Sequence, residues 1–215
     1  MMTTIVWLRH APTNMQAMIG RRDLAAVKPP DAQCQRITRR IRQHFGNQNP
    51  MTCLYSTRIR TRQTLDWLNL DQVLIDTQIH PFLDEQNFGR LEGYDYAQLQ
   101  KNDPELAASM ASNMAAFQPP GGESFKALCH RVDRGLVTWL GGAPNRNVLI
   151  VAHAGTIRAG LRLALGITAS AALRFVIEPL SMTVIHCMIK PKQTPVWRVC
   201  SVNDVVPSYE GNSIS

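Results

Sequence analysis

The feature that most constrains this chain is the alternation of short, fully apolar runs with amphipathic segments. Residues 147–152 (NVLIVA) are apolar at nearly every position, and residues 3–8 (TTIVWL), 51–55 (MTCLY) and 73–76 (VLID) are similar short runs. A strand apolar on both faces has to be covered on both, which is the pattern of a buried parallel sheet. The covering pieces lie between the runs. Residues 31–45 carry Ile37, Ile41 and Phe45 at helical spacing, with Arg36, Arg39, Arg40 and Arg42 mostly off that stripe, so the arginines read as a solvated face. Helices are also expected over about 58–69, over 94–118, over 125–141 behind a Ser124 cap, and over 157–165 up to Gly166. In the second of these, Met110, Met114 and Phe117 recur near helical spacing, and such a stripe reads as core. Residues 182–189 and 196–202 are expected to close the sheet as an antiparallel pair. The fold class is therefore α/β: a three-layer α/β/α sandwich with a mostly parallel central sheet. Residues 1–215 read as a single domain, with an insertion at about 86–123 that covers the carboxyl end of the sheet, where open α/β sheets take ligands.

Composition narrows the function classes. Of 215 residues, 45% are hydrophobic and 18% charged, enough to bury a full core. The longest apolar runs are far too short to span a bilayer, so no membrane partner is expected. The opening MMTTIVWLRH lacks a basic n-region and reads as a first strand, not a signal peptide. Five scattered cysteines without a C-x-x-C fit a reduced, cytoplasmic protein, with neither a disulfide framework nor a zinc site. The net charge is +7, and 18 of the 23 cations are arginine, the side chain suited to forked binding of phosphate or carboxylate. No recognition helix, aromatic platform or zinc knuckle accompanies that charge, so an anionic small molecule is expected and nucleic acid is not. There is no G-x-S-x-G elbow and no G-x-x-x-x-G-K-[ST] loop.

Two histidines follow apolar runs directly. His10 comes after TTIVWL-Arg9, and His153 comes after NVLIVA. Both are expected at carboxyl ends of sheet strands, where two imidazoles beside an arginine make a reactive site more plausible than two unrelated structural residues. Arg60 and Arg62 follow the second strand in YSTRIRTRQT, in a first helical turn already electropositive. That unfavourable placement is explained by an anion bound there. Glu85, with Glu92 close by, is the acidic candidate in HPFLDEQNFGRLEG. Metal ligation by these histidines and Glu85 is disfavoured, because Arg9 and its neighbours repel a cation.

These segments together resemble the histidine phosphatase superfamily, the phosphoglycerate-mutase-like proteins. LRHAPT (8–13) is similar to the family's Arg-His-Gly motif and GRRD (20–23) to its Gly-x-x-Asp turn. STRIRTRQT (56–64) resembles Ser-x-x-x-Arg-Ala-x-x-Thr, which places the family arginine on Arg60. LDEQNFGRLEG (83–93) is similar to Glu-x-x-x-Gly-x-x-Glu-Gly, which places the acid on Glu85, and PGGES (120–124) and VAHAGTIRAGL (151–161) match the remaining two motifs. The resemblance runs in order along nearly the whole chain. It implies a phosphoglycerate mutase-like fold and a metal-independent phosphomonoester hydrolase with no cofactor. His10 is then the nucleophile that becomes phosphohistidine, with its second ring N–H held by a backbone carbonyl. Arg9, Arg60 and His153 surround the phosphoryl oxygens, His153 as a protonated ring or at least a donor. Glu85 is the acid and then the base.

The resemblance further implies phosphate contacts from Thr13 and Ala154, and from Gln16 where the family often has Asn. Two family glycines are Ala11 and Ala154 here, harmless if φ is negative at both. Between Glu85 and PGGES the only cations are Arg90 and Lys101, which favours water over a sugar-acid acceptor. The expected activity is hydrolysis of a small phosphorylated metabolite, with the α-ribazole phosphatase branch closest in look and α-ribazole 5'-phosphate a candidate. Phosphoglycerate mutase-type transfer and a non-catalytic phospho-ligand binding module stand as alternatives. A monomer or homodimer is expected.

Overall fold

A computed structural model describes residues 2–46, 50–142, 147–188 and 194–206. Six strands form one sheet in the order β3-β2-β4-β1-β5-β6: β1 (Met2–Arg9), β2 (Met51–Tyr55), β3 (Leu74–Ile79), β4 (Asn147–Ala152), β5 (Met182–Met188) and β6 (Val196–Asp204). The pairings β3–β2, β2–β4 and β4–β1 are parallel, and β1–β5 and β5–β6 are antiparallel. This is the mostly parallel sheet expected from the apolar runs, closed by the expected antiparallel pair. Residue 189, the expected end of β5, lies outside the described residues.

Side-chain alternation splits the core in two. Ile5 and Trp7 of β1 and Val148, Ile150 and Ala152 of β4 face one side. Val6, Leu8, Leu149 and Val151 face the other. The first face is covered by α5 (Phe125–Gly142) and α6 (Ala154–Leu165), with the single turn α7 (Ala169–Ala172). The second is covered by α1 (Asp31–Phe45), through Ile37, Ile41 and Phe45, and by α2 (Ile59–Asp66), through Leu65. The central strands thus sit between helical layers, while the edge strands β3 and β6 stay partly exposed, and burial of this apolar surface is the main stabilising term.

Two expectations change in detail. The long helix over 94–118 is two short ones, α3 (Tyr96–Asn102) and α4 (Pro104–Ser112). Pro104 lacks the N–H that would continue α3, and Asp103 before it is extended (φ −148°) and accepts the Leu106 N–H at 3.0 Å to start the second helix. The helix expected from 157 begins at Ala154, because the Thr156 hydroxyl accepts the His153 N–H at 3.0 Å and closes the first turn. The turn α7 carries no period that could announce it. Elsewhere boundaries shift little: Ser124 Oγ accepts the Ala127 N–H, as a cap of α5 should, and Gly166 ends α6 in the left-handed region.

One close approach fixes how α6 lies on the sheet. A Cβ at Gly160 would stand 2.8 Å from Cζ2 of Trp7, a fully buried side chain of β1. Gly160→Ala is therefore expected to lose about 1 kcal/mol in urea unfolding, the overpacking outweighing the helix-propensity gain of about 1 kcal/mol. An unchanged or raised midpoint would mean that the Trp7 ring yields without cost.

Candidate active site

Parallel register sets the site. Arg9 of β1 pairs with Ala152 of β4, so the next residues, His10 and His153, leave adjacent strands at the same height. Their ring centroids lie 5.1 Å apart. The His10 N–H bonds the Ala152 carbonyl at 2.9 Å, which carries the ladder one step past the strand.

The His10 ring is buried, and its Nδ1 lies 2.7 Å from the Ala11 carbonyl oxygen. A carbonyl can only accept, so Nδ1 bears the proton and Nε2 keeps its lone pair. Burial, then the Arg60 and Arg9 charges, push the His10 pKa down from 6.5 to about 3, against the opposing Ala11 hydrogen bond. The ring is neutral at neutral pH. The loop behind it is held by Thr64, whose hydroxyl accepts the Ala11 N–H at 2.9 Å and donates to the Arg60 carbonyl at 2.7 Å.

His153 is fully buried and bonded on both ring nitrogens. Arg60 Nε donates to its Nδ1 at 3.3 Å, and Nε2 lies 2.7 Å from Ser56 Oγ. An Nδ1 that accepts carries no proton, so the proton is on Nε2 and points to Ser56. Burial, Arg60 and His10 hold its pKa well below 6.5. The ring is therefore neutral and a donor through Nε2, and its other nitrogen holds Arg60.

Arg60 is buried, and three contacts spread its guanidinium: Nε to His153, and the two terminal nitrogens to the Arg22 and Gly20 carbonyls, each at 2.8 Å. These contacts use three of the five N–H groups of a guanidinium. The GRRD turn thus gains a physical role. Its Gly20 (φ +56°) and Arg22 offer carbonyls to Arg60, and Asp23 Oδ1 accepts the Ile59 N–H at the start of α2. Of the neighbouring arginines, Arg58 bonds the Arg21 carbonyl and Arg62 pairs with Asp66 at the surface, so Arg60 alone of the three lines the cleft. Arg9 also lines it. One terminal nitrogen donates to the Ile177 carbonyl at 2.5 Å, and its buried Nε has no hydrogen-bond partner among the described residues. Burial lowers the pKa of both arginines from the usual guanidinium value, and the Glu85 charge pulls both back up.

Glu85 completes the wall. One oxygen accepts the Gln86 N–H at 2.9 Å, and the other faces the Gly155 N–H at 3.3 Å, in the first turn of α6. A Cβ at position 155 would stand 2.3 Å from Glu85 Oε1, so the side chain reaches the helix only because that residue is glycine. Arg131 of α5 holds the segment carrying Glu85. It donates to the carbonyls of Pro81, Phe82 and Asp84 and pairs with Glu123 at 2.7 Å. Buried Asp84 accepts from the Thr57 N–H and hydroxyl at 2.8 Å, which ties the same segment to the end of β2.

The cleft so formed measures about 340 Å³ and is lined by Arg9, His10, Arg60 and Glu85, with Met18, Gly20, Phe88 and Tyr96 around them. The charged groups of the lining are the guanidiniums of Arg9 and Arg60 and the carboxyl groups of Glu85 and Asp95. Asp95 is engaged as the cap of α3, where it accepts the Gln98 N–H at 2.7 Å, and the neutral His10 ring keeps one nitrogen unprotonated beside the two guanidiniums. The other expected residues stand differently. Thr13 Oγ1 donates to the Met15 carbonyl, Thr13 bridges to Ala26, and Gln16 is exposed; neither is among the residues that line the cleft, which the same loop reaches from Ala17 to Gly20. Ala154 opens α6, but the N–H turned to Glu85 is that of Gly155. Among the described residues, non-glycine positive φ occurs only at Asn69, Leu180 and Asn203, so Ala11 and Ala154 are unstrained. Glu92 accepts the Arg21 N–H and steadies the Gly20 turn outside the cleft. Sequence reasoning gave no role to Ser56 or Thr64, although both fall within the STRIRTRQT motif. Arg131 and Arg158 carried no signal beyond being arginines on helices.

The model of the histidine phosphatase superfamily (branch 1) matches residues 5–198. The bifunctional protein Rv2228c of Mycobacterium tuberculosis is 31% identical over 136 residues, 63% of this chain, and that match spans only 35% of the relative's own length. Among solved structures, a mycobacterial glucosyl-3-phosphoglycerate phosphatase superposes with a TM-score of 0.78 at 22% identity, covering 95% of this chain and all of the other. A putative α-ribazole-5'-P phosphatase of Escherichia coli gives 0.76 at 22% identity, covering 94% and 96%. At these identities the two structures establish a shared fold.

The neutral imidazoles have a consequence for acid stability. Between about pH 6.5 and pH 3 the unfolded chain binds a proton on His10 that the folded chain does not, and His153 shifts in the same direction. The unfolded state binds more protons in that window, so stability rises with pH across it and falls on acidification. The melting temperature should therefore drop from pH 7 to pH 4, with a shallower slope in His10→Gln. Identical slopes would show that His10 is already charged in the folded protein.

Proposed function

The chain belongs to the histidine phosphatase superfamily, and from that premise and the geometry of the cleft we propose that it is a phosphomonoesterase working through a phosphohistidine on His10. The observation that carries the proposal is the 2.7 Å contact from His10 Nδ1 to the Ala11 carbonyl, which commits the proton to that nitrogen and leaves Nε2 as the nucleophile beside Arg9 and Arg60. The two arginines bind the phosphoryl oxygens and meet the charge that spreads over them in the transition state. The unpartnered Nε of Arg9 is the kind of buried donor that an anion satisfies.

The proposed reaction has two steps. Nε2 of His10 attacks phosphorus in line, the ester P–O bond breaks, and Glu85 gives its proton to the departing alcohol oxygen. Water then attacks the phosphoryl group, Glu85 takes its proton, the P–N bond breaks, and phosphate leaves with the His10 lone pair restored. His153, held by Ser56, keeps Arg60 turned to the phosphoryl group. The arginine charges take the part a divalent ion has in other phosphoryl-transfer sites, so the reaction needs no metal. Water is favoured over phosphoglycerate mutase-type transfer by the scarcity of cations between Glu85 and PGGES. The substrate is a small phosphorylated metabolite, α-ribazole 5'-phosphate among the candidates by resemblance. Five free cysteines, four of them buried, support a reducing, cytoplasmic setting; no helix among the described residues is long and apolar enough to cross a membrane.

The deciding experiment is phosphate release from p-nitrophenyl phosphate and a set of metabolite monoesters, run with and without EDTA, beside acid-quenched detection of phosphohistidine. His10→Ala should lower turnover by about four orders of magnitude or more and abolish the phosphoprotein. Binding of phosphate esters without release from any of them would identify a binding module instead. Glu85→Gln should slow alkyl phosphates by about 10²–10⁴-fold and p-nitrophenyl phosphate far less, since that leaving group needs little protonation. Equal losses would remove Glu85 from the acid role. Arg60→Lys should cost about 10²–10³-fold in kcat, because an ammonium cannot reach Gly20, Arg22, His153 and the phosphoryl group together. An unchanged rate would dismiss Arg60 as an oxyanion clamp.

A further inference from the structure

A second, smaller chamber opens behind Glu85. It measures about 180 Å³, and its apolar walls are Phe88, Met110, Met114, Phe117, Phe125 and Leu173. It shares Met18, Glu85 and Phe88 with the cleft that holds His10, so the two adjoin at the carboxyl group. The methionine stripe read from the sequence as core is therefore only partly core. Met110 and Phe117 do pack against Leu91, Leu99 and Ala107, but they also present side chains to this space. Met114 is 49% exposed and forms its outer rim.

From this adjacency we infer that the chamber receives the carbon group of the leaving alcohol, and that the preferred substrates are phosphomonoesters with an alkyl or aryl group close behind the ester oxygen. The inference rests on the phosphatase reading. Glu85 stands at the boundary because it protonates the ester oxygen; an oxygen at Glu85 sends its substituent away from Arg9 and Arg60, into the Met–Phe walls. Burying polyol hydroxyls or a carboxylate there would strip them of water with few partners. Alkyl and aryl groups lose nothing by it, and thioether and aromatic walls adapt to their shape. The size is telling: an engineered apolar cavity of about 150 Å³ takes up benzene, so this chamber admits about one ring or a short chain. Arg158 is the cation of the lining. Its Nε donates to the Phe175 carbonyl at 2.8 Å, and its charge interacts with Glu85, so it is already engaged at the boundary.

The test compares kcat/KM for ethyl, butyl and benzyl phosphate with glycerol 3-phosphate and 3-phosphoglycerate, esters whose leaving oxygens are all aliphatic. The expected gain is about fourfold per methylene from ethyl to butyl, with benzyl at least tenfold above ethyl and both polar esters below butyl. Met114→Glu, at the exposed rim where folding is not at risk, and Phe117→Ser should each bring the benzyl-to-ethyl ratio toward one. A flat alkyl series, or 3-phosphoglycerate preferred and that preference lost in Arg158→Met, would overturn the inference while phosphohistidine still forms on His10. No release from any ester and no phosphohistidine would instead remove the phosphatase reading on which it rests.

Discussion

The site depends on one pairing. Because β1 and β4 run parallel with Arg9 opposite Ala152, two segments that are distant in sequence deliver histidines side by side at the same edge of the sheet. A shift by one residue would turn one of the two imidazoles to the opposite helical layer, since side chains alternate faces along a strand. The register is secured by the apolar alternation itself. Ile5, Trp7, Val148 and Ile150 have to face one helical layer while Val6, Leu8, Leu149 and Val151 face the other.

Around that edge most buried polar groups meet a partner, which is the condition for placing charge in a core; the Nε of Arg9 is an exception among the described residues. Arg60 is the hub, in contact with His153 and two backbone carbonyls. Thr64 couples the backbone of the nucleophile loop to that of Arg60. Arg131 and Asp84 fasten the segment that carries Glu85. Burial, with charge repulsion from the guanidiniums added to it, keeps the imidazoles neutral, so the same cations that would bind an anion also help to keep His10 unprotonated.

The segment around 86–123 gives the site its second half. Its two short helices and the PPGGES turn bring Phe88, Met110, Met114 and Phe117 over Glu85. The break at Pro104 lets the chain fold back on itself there, with α3 and α4 packed together around Leu99 and Ala107. Charge on one side of the carboxyl group and methionine and phenylalanine on the other make a cleft with two chemistries.

Much was legible in the sequence because it was local. Apolar runs set the strands, the Ile37–Ile41–Phe45 stripe set α1, Ser124 and Gly166 set helix ends, and the two strand-end histidines with Arg9, Arg60 and Glu85 marked the candidate chemistry. What sequence could not decide were relations between distant segments. Whether Arg58, Arg60 or Arg62 faces the cleft depends on where the Gly20 turn offers its carbonyls. The charge on His153 depends on an arginine 93 positions away. That the loop after His10 meets the cleft at Ala17 to Gly20, past Thr13 and Gln16, depends on how it folds back over the site. A methionine at helical spacing carries the same apolar signal whether it fills a core or walls a chamber. Periodicity records that a side chain leaves water; only packing in three dimensions determines what it meets there.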